Sequence, residues 1–331
     1  MSECAAPFFS VIIPAFNAEG YIARAMESVL SQKGSSYELI VVDDGSADGT
    51  AAAVEKLESG CQVDVRLIRQ PNAGPGAARN AGIADACGAY ILFLDADDCL
   101  MESALGLLEA FLVTEAKPDV AAFDFVPRCD GVAVAREKVV SRVYPRAQRL
   151  SSADFLKAVY LRHFGYFSWA FAYRTDFLKT RDLSYPVDGR LLEDAVFLNR
   201  VIRATETISL YQGDPLYSYT LRQDSISYTA NSSTIEWAYR ALMGIYEQAK
   251  AGGLGEECAT GSLPTLLYLR RLAKGSGDAR LLREIEKGAR YINTHIPLSE
   301  KWSKDQIRMV LMRLGILDAV ESAAKKLKGG C

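Results

Sequence analysis

The sequence is poor in histidine: only His163 and His295 occur in 331 residues. A multi-histidine metal centre or a serine–histidine triad has little to draw on, so a catalytic base is expected to be a carboxylate. Cysteine is present but unorganised. Cys4, Cys61, Cys87, Cys99, Cys129, Cys258 and Cys331 are odd in number, scattered and without a C-x-x-C pair. That argues against a zinc knot or a disulfide framework and for reduced thiols. No apolar run reaches the ~18–20 uninterrupted residues of a membrane span, and Met1 to Phe9 lacks the basic start and apolar middle of a secretory signal. A cytoplasmic protein is the expectation.

What is present suits a folded chain: 49% of residues are hydrophobic and 24% charged, enough to bury a sizeable core. The net charge of -3 is unevenly spread, with 16 Lys plus Arg against 11 Asp plus Glu in residues 231–331. The tail is therefore basic and the rest acidic, which hints that the tail faces something acidic. No nucleic-acid partner is expected.

The first half alternates β-branched runs with helical segments, the pattern of a parallel sheet wrapped by helices. The runs are residues 9–14, 38–43, 63–69, 90–95 and 119–126; the helical segments are 18–32, 48–59, 76–86 and 102–116. Leu39-Ile40-Val41-Val42 and Ile91-Leu92-Phe93-Leu94 are apolar without alternation, as central strands covered on both faces are. Each ends in acidic residues, and ligands collect at the carboxyl ends of such strands. Beyond residue 128 a hairpin, helices near 151–162 and 190–204, and strands at 208–211 and 216–221 are expected. Helices follow at 234–251, 256–275, 278–293 and 303–327, broken at Gly252-Gly253, Gly275 and Pro297.

Four motifs carry chemistry. In Asp43-Asp44-Gly45-Ser46, followed by Asp48, the last acid reads as a helix cap, but a turn does not need two carboxylates at a buried strand's end. Asp44, Ser46, Asp48, Gly49 and Glu55 also fit a calcium loop, which is rejected because that loop joins two helices and this one follows a strand. Asp95-Ala96-Asp97-Asp98 crowds three carboxylates that need a cation or strong hydrogen-bond donors; Mg²⁺ or Mn²⁺ is the economical answer, an exposed acidic loop the plain one. Glu193-Asp194 precedes a helix, where the macrodipole alone would favour an acid. Asn72 to Asn80 lacks the third glycine of a dinucleotide fingerprint, since Arg79 stands there; its glycine turn can still approach a ligand closely.

Together with Ser10 to Asn17, Trp169 to Leu178, Tyr217-Ser218-Tyr219 and Arg222-Gln223-Asp224-Ser225-Ile226, these motifs resemble the family 2 glycosyltransferases of cell-surface polysaccharide synthesis. The match covers roughly residues 9 to 228. The resemblance implies an α/β GT-A nucleotide-diphospho-sugar transferase fold, a mainly parallel sheet flanked by helices over residues 1–230, with a helical extension over 231–331. It implies an inverting transfer from a nucleotide-sugar donor, UDP-sugar by family habit, to a hydroxyl of a saccharide or lipid-linked acceptor. Pro14 and Phe16 would pack around the nucleobase, Asp44 would accept a hydrogen bond from it, and Gly74 would lie near the donor. Asp95 would contact the ribose or sugar, Asp97 would hold Mn²⁺ or Mg²⁺, Asp98 would orient the donor sugar, and Asp194 would be the general base. Arg222 would add charge at the diphosphate, or be a surface arginine. Arg79 reads as a solvated helix residue, and Trp169 and Tyr217 as acceptor lining or plain packing.

Two other classes compete. A sugar-nucleotide pyrophosphorylase would open with a glycine- and arginine-rich loop ending in lysine, whereas Ala15-Phe16-Asn17-Ala18-Glu19 stands here. A binding protein that has lost turnover is opposed by the intact Asp97 and Asp194. The charged and apolar alternation of the tail suits a helical bundle; peripheral contact with an acidic membrane face and a homodimer are the secondary readings.

Overall fold

The alternating runs fold as an α/β sheet in the computed structural model, which describes residues 6–59, 63–129, 132–133, 147–189, 191–221, 230–296 and 307. Contacts divide the chain into two units, Met1–Ser225 and Ile226–Cys331.

In the first unit, apolar strands alternate with helices: β1 (Phe9–Ala15), α1 (Ile22–Leu30), β2 (Tyr37–Asp43), α2 (Thr50–Glu58), β3 (Val65–Arg69), α3 (Pro75–Asp85) and β4 (Tyr90–Phe93). These strands lie parallel in the order β3-β2-β1-β4. Val11, Ile12, Ile13, Leu39 to Val42 and Ile91 to Leu94 are all buried, so the unbroken apolar runs are indeed central strands.

The second half of the sheet departs from the expected pattern. After β5 (Cys99–Leu100) and α4 (Ala104–Thr114), the run read as one strand over 119–126 is two: β6 (Val120–Ala122) and β7 (Phe125–Cys129). The first joins the main sheet. The second pairs antiparallel with β8 (Val132–Ala133) in a hairpin, within a separate four-stranded sheet. Next come β9 (Arg149–Ser151), α5 (Ser152–Tyr160), a 3-10 turn at Ser168–Ala170, β10 (Phe171–Arg174), α6 (Thr175–Thr180), α7 (Glu193–Ala204), β11 (Thr207–Leu210) and β12 (Tyr217–Thr220). Strand β10 had no counterpart in the sequence reading. It lies antiparallel between β4 and β6, so the main sheet is mixed, in the order β3-β2-β1-β4-β10-β6-β11-β9. The small sheet runs β5-β12-β7-β8.

The second unit is built of α8 (Ser232–Ala251), α9 (Gly255–Ser276) and α10 (Ala279–Asn293). Ile235, Leu242, Ile245, Leu266, Leu269, Leu281, Ile285 and Ile292 recur at helical spacing and are buried. The break between α9 and α10 falls at Gly277 rather than Gly275. Gly277 has φ +75°, a left-handed conformation that glycine adopts without strain, whereas Gly275 continues the helix. Pro297 and nearly all of the expected helix 303–327 lie outside the described residues. No helix among the described residues is long and apolar enough to cross a membrane.

Candidate active site

The carboxyl ends of β1, β2 and β4 converge. The Asp44 N–H donates to the carbonyl of Ala15 at 2.8 Å, joining the end of β2 to the end of β1. Asn17 then laces the two following turns: its N–H donates to Ser46 Oγ, and its side-chain oxygen accepts from the Ala47 N–H. Beside it Phe16 stands 44% exposed, a large apolar face open at the end of a buried strand.

Asp44 is only 3% exposed. Its Oδ1 accepts from Gln70 Nε2 and the Ala73 N–H, and its Oδ2 from the Gly74 N–H, each at 2.8 Å. Three donors leave this carboxylate one lone-pair site. Its evident work is to pin the loop after β3. Gly74 adopts φ +94°, which a side chain would strain, and Pro75 opens α3 with its φ already set. The N–H of Gly74, the residue expected to lie near the donor, donates to Asp44. The close approach that glycine permits occurs at Gly76, where a Cβ would meet the Pro186 carbonyl and Tyr185. Asn80 completes the clamp: its Nδ2 donates to the Tyr185 carbonyl and its Oδ1 accepts from the Tyr185 N–H, at 2.9 and 2.8 Å.

This clamp sets Arg79, which the sequence reading took as solvated. The structure overturns that: Arg79 is buried, its guanidinium 5.3 Å from the centre of the Tyr185 ring. Nη2 lies 2.9 Å from Asp95 Oδ1, and Nη1 lies 3.4 Å from Glu193 Oε1 and 3.5 Å from Asp194 Oδ1. One guanidinium thus joins the acid after β4 to the acids opening α7. Burial alone would weaken its charge, but Asp194, Asp95 and Glu193 hold its pKa well above the ordinary value.

Three carboxylates on one cation leave negative charge in excess. Burial pushes Asp194 up to about 7; Arg79 pulls it down, Glu193 and Asp95 push it further, and the hydrogen bond from Ser168 opposes them. That bond, from Ser168 Oγ to Asp194 Oδ1 at 2.8 Å, fixes the carboxylate from the 3-10 turn ahead of β10. Leu192, just before α7, sits at φ +68°. A bulky residue there costs of the order of 1–3 kcal/mol, strain typical of functional sites. A carboxylate so held, titrating near neutrality, is suited to accept a proton at neutral pH.

The crowded acids 95–98 do not act as one grip. Asp95 faces Arg79. Asp98 is 1% exposed, with Oδ2 accepting from the Tyr217 hydroxyl and Oδ1 from the Thr220 N–H, both at 2.6 Å. Burial pushes its pKa well up, with Asp95 and Asp97 adding to the rise. Asp98, expected to orient the donor sugar, is anchored to β12 by one protein donor on each oxygen. The Tyr217 hydroxyl also accepts from the Asp95 N–H at 3.1 Å, and Arg24 Nη2 donates to the Asp97 carbonyl at 2.6 Å, so the turn is tied on both sides. The donors this cluster needs are therefore partly protein groups. Among the described residues no three His, Cys, Asp or Glu side chains gather to hold an ion. Asp97 and Asp95, both partly exposed hard-oxygen donors, still fit a Mg²⁺ or Mn²⁺ ion, which draws its other ligands from water and phosphate. Arg222 lies outside the described residues. Trp169 and Tyr217 are both buried, so packing is their first duty.

Residues 10–179 match the family model described as glycosyl transferase family 2. The chain belongs to that family. It is 30% identical over 225 residues to the putative glycosyltransferase EpsH of Bacillus subtilis (strain 168), covering 66% of this chain and 62% of EpsH. It is 29% identical over 217 residues to the poly(ribitol-phosphate) beta-N-acetylglucosaminyltransferase TarS of Staphylococcus aureus (strain MW2), covering 65% of this chain and 36% of TarS. The matches thus span less than two thirds of either relative. Among solved structures, S. aureus TarS 1–349 in complex with UDP-GlcNAc superposes with a TM-score of 0.71 at 22% identity, over 97% of this chain and 92% of that one. The mannosyltransferase PcManGT from Pyrobaculum calidifontis, in complex with GDP-Man and Mn2+, gives 0.55 at 17% identity, over 94% and 87%. The family 2 chain has the GT-A fold; Ser168, Tyr185 and the buried placement of Arg79 are features of the candidate site that the motifs alone do not reveal.

Proposed function

We propose that this family 2 chain is an inverting glycosyltransferase, moving a sugar from a nucleoside diphosphate donor, a UDP-sugar, to an acceptor hydroxyl in cell-surface polysaccharide synthesis. One observation carries the reading: a buried arginine holds Asp95, at the end of β4, and Asp194, at the start of α7, on a single guanidinium. This brings a donor-side acid and a base-side acid to one place. Phe16 and Pro14 offer an apolar seat for the nucleobase, and Asp44 keeps one lone-pair site for it while holding the Gly74 turn. Asp95 contacts the ribose or the transferred sugar.

Asp194 takes the proton from the attacking acceptor hydroxyl, and attack from the face opposite the leaving diphosphate inverts the anomeric centre. Asp97 would hold the divalent cation, which when bound supplies Lewis-acid neutralisation of the diphosphate. Support for a UDP-sugar donor comes from TarS, named for N-acetylglucosaminyl transfer to poly(ribitol-phosphate) and solved with UDP-GlcNAc. Support for the metal comes from PcManGT, solved with Mn2+.

The test is UDP release from a panel of UDP-sugars with and without Mn²⁺, paired with UDP thermal shifts of wild type and Asp97→Ala. Metal-dependent release, and a metal-dependent UDP shift lost in Asp97→Ala, are expected. Equal UDP stabilisation of both proteins contradicts the assignment of Asp97, and absence of release from every donor contradicts the activity.

A further inference from the structure

Strand β12 alternates its side chains, placing Tyr217 and Tyr219 on one face and Ser218 and Thr220 on the other. On the neighbouring strand Phe125 pairs with Tyr217. Trp169 stacks over this aromatic face, 4.2 Å from Tyr217 at 12° and 5.2 Å from Tyr219 at 19°, and Phe167 stacks on Trp169 at 4.9 Å and 18°. Phe125 closes the group edge-on, 5.0 Å from Trp169. A Cβ at Gly165 would run into the Phe167 ring, so the chain keeps a place for that ring. Trp169 and Tyr217 form the buried inside of the stack; Phe167 and Tyr219 are its partly exposed outside.

The stack is tied to both halves of the site. Ser168, between Phe167 and Trp169, donates to Asp194, and the Tyr217 hydroxyl bridges the Asp95 N–H and Asp98. An acceptor hydroxyl within reach of Asp194, aimed at a sugar held by Asp95, brings the rest of its own residue against these rings. Apolar and aromatic walls with a few fixed polar groups are the usual make-up of such a subsite. A pyranose in its chair offers a flat face of axial C–H bonds to an aromatic ring; an open-chain polyol does not.

We propose that Phe167 and Tyr219 form a stacking platform for the acceptor, and that the unit receiving the sugar is a pyranose ring rather than an open-chain polyol. This deepens the function proposed above and rests on Asp194 as the base.

The test is saturation-transfer NMR on the full chain with UDP and Mn²⁺, using methyl β-D-glucopyranoside as the ring probe and ribitol as the open-chain probe. Irradiating the protein aromatic resonances saturates H1, H3 and H5, the axial protons of one face, more than H2 and H4, and leaves ribitol unsaturated. Phe167→Leu and Tyr219→Leu each weaken the glucoside by on the order of three- to tenfold, and Phe167→Trp retains it. Even saturation around the ring, equal saturation of ribitol, or unchanged binding in both leucine variants overturns the platform. Should a leucine variant unfold, the proton pattern on the wild-type protein decides alone. No turnover is needed, so a failed platform leaves the base standing, whereas a kcat unaltered in Asp194→Asn refutes the base and leaves the binding pattern readable.

Discussion

Two arginines each gather three carboxylates, one cluster near the amino ends of the parallel strands and the other at their carboxyl ends. Arg66 meets Glu38, Asp64 and Asp85; Arg79 meets Asp95, Glu193 and Asp194. The Arg66 side chain is 31% exposed and that of Arg79 is 5%. Glu38 is also satisfied by Ser10 Oγ and by the N–H groups of Cys87 and Gly88, so its charge is spread over many donors. The acids around Arg79 have fewer donors, and burial, with Glu193 and Asp95 adding to it against the pull of Arg79, raises Asp194 to about 7. The first cluster fastens strands. The second holds an unbalanced charge at the carboxyl ends of the strands, the arrangement that suits the proton transfer proposed for Asp194.

Replacing one acid in each cluster breaks this comparison most sharply. Asp194→Asn lowers kcat by about 10²- to 10⁴-fold, the usual worth of a general base, while Glu38→Gln lowers the melting temperature and keeps kcat near wild type. Steady-state UDP release and thermal melts on the two variants check this; comparable kcat in both denies the division of labour.

Removing the cations comes next in size. Arg79→Met leaves three acids without their shared partner and costs about 3–5 kcal/mol of stability, as breaking a buried pair does. Arg66→Met, at a more exposed and screened site, costs about 1 kcal/mol. Urea denaturation of both variants ranks them, and a larger loss at Arg66 reverses the account.

A pH dependence is confined to the second cluster. Asp194 titrates near 3.8 when ordinary and near 7 in the fold. The folded state therefore keeps a proton that the unfolded chain releases, so the stabilisation is complete below about pH 4 and is lost as pH rises through about 7. Subtracting the melting curve of Asp194→Asn from that of wild type across this window isolates the slope. A flat difference contradicts the raised pKa.

Much of the donor half was legible because local signals and fold agree there. Apolar runs ending in acids gave β2 and β4; Asp48, read as the cap of the next helix, accepts from the N–H of Thr50 at the start of α2, but from one residue ahead of the cap position, which Gly49 holds. Arg79 was misread because nothing within its helix distinguishes it from a solvated arginine. Its burial is decided by Tyr185, Glu193 and Asp194, over a hundred residues away in the chain. Strand β10 escaped notice because four residues directly between a 3-10 turn and a helix carry too little alternation to read. The 119–126 run looked continuous because its division, at Phe123-Asp124, falls where the chain passes from one sheet to the other without a glycine or proline to mark it. The anchoring of Asp98 was hidden for a related reason: Tyr217 and Thr220, which donate to its two oxygens, come from β12.

The central claim is that Arg79 holds Asp194 as a base poised near neutrality, and the pH profile of kcat for wild type and Arg79→Gln tests it most directly. The wild-type rate should rise with pH through an apparent pKa near 7, and loss of the guanidinium that pulls the carboxylate down should move that limb to higher pH. A limb that stays in place in Arg79→Gln would contradict the account.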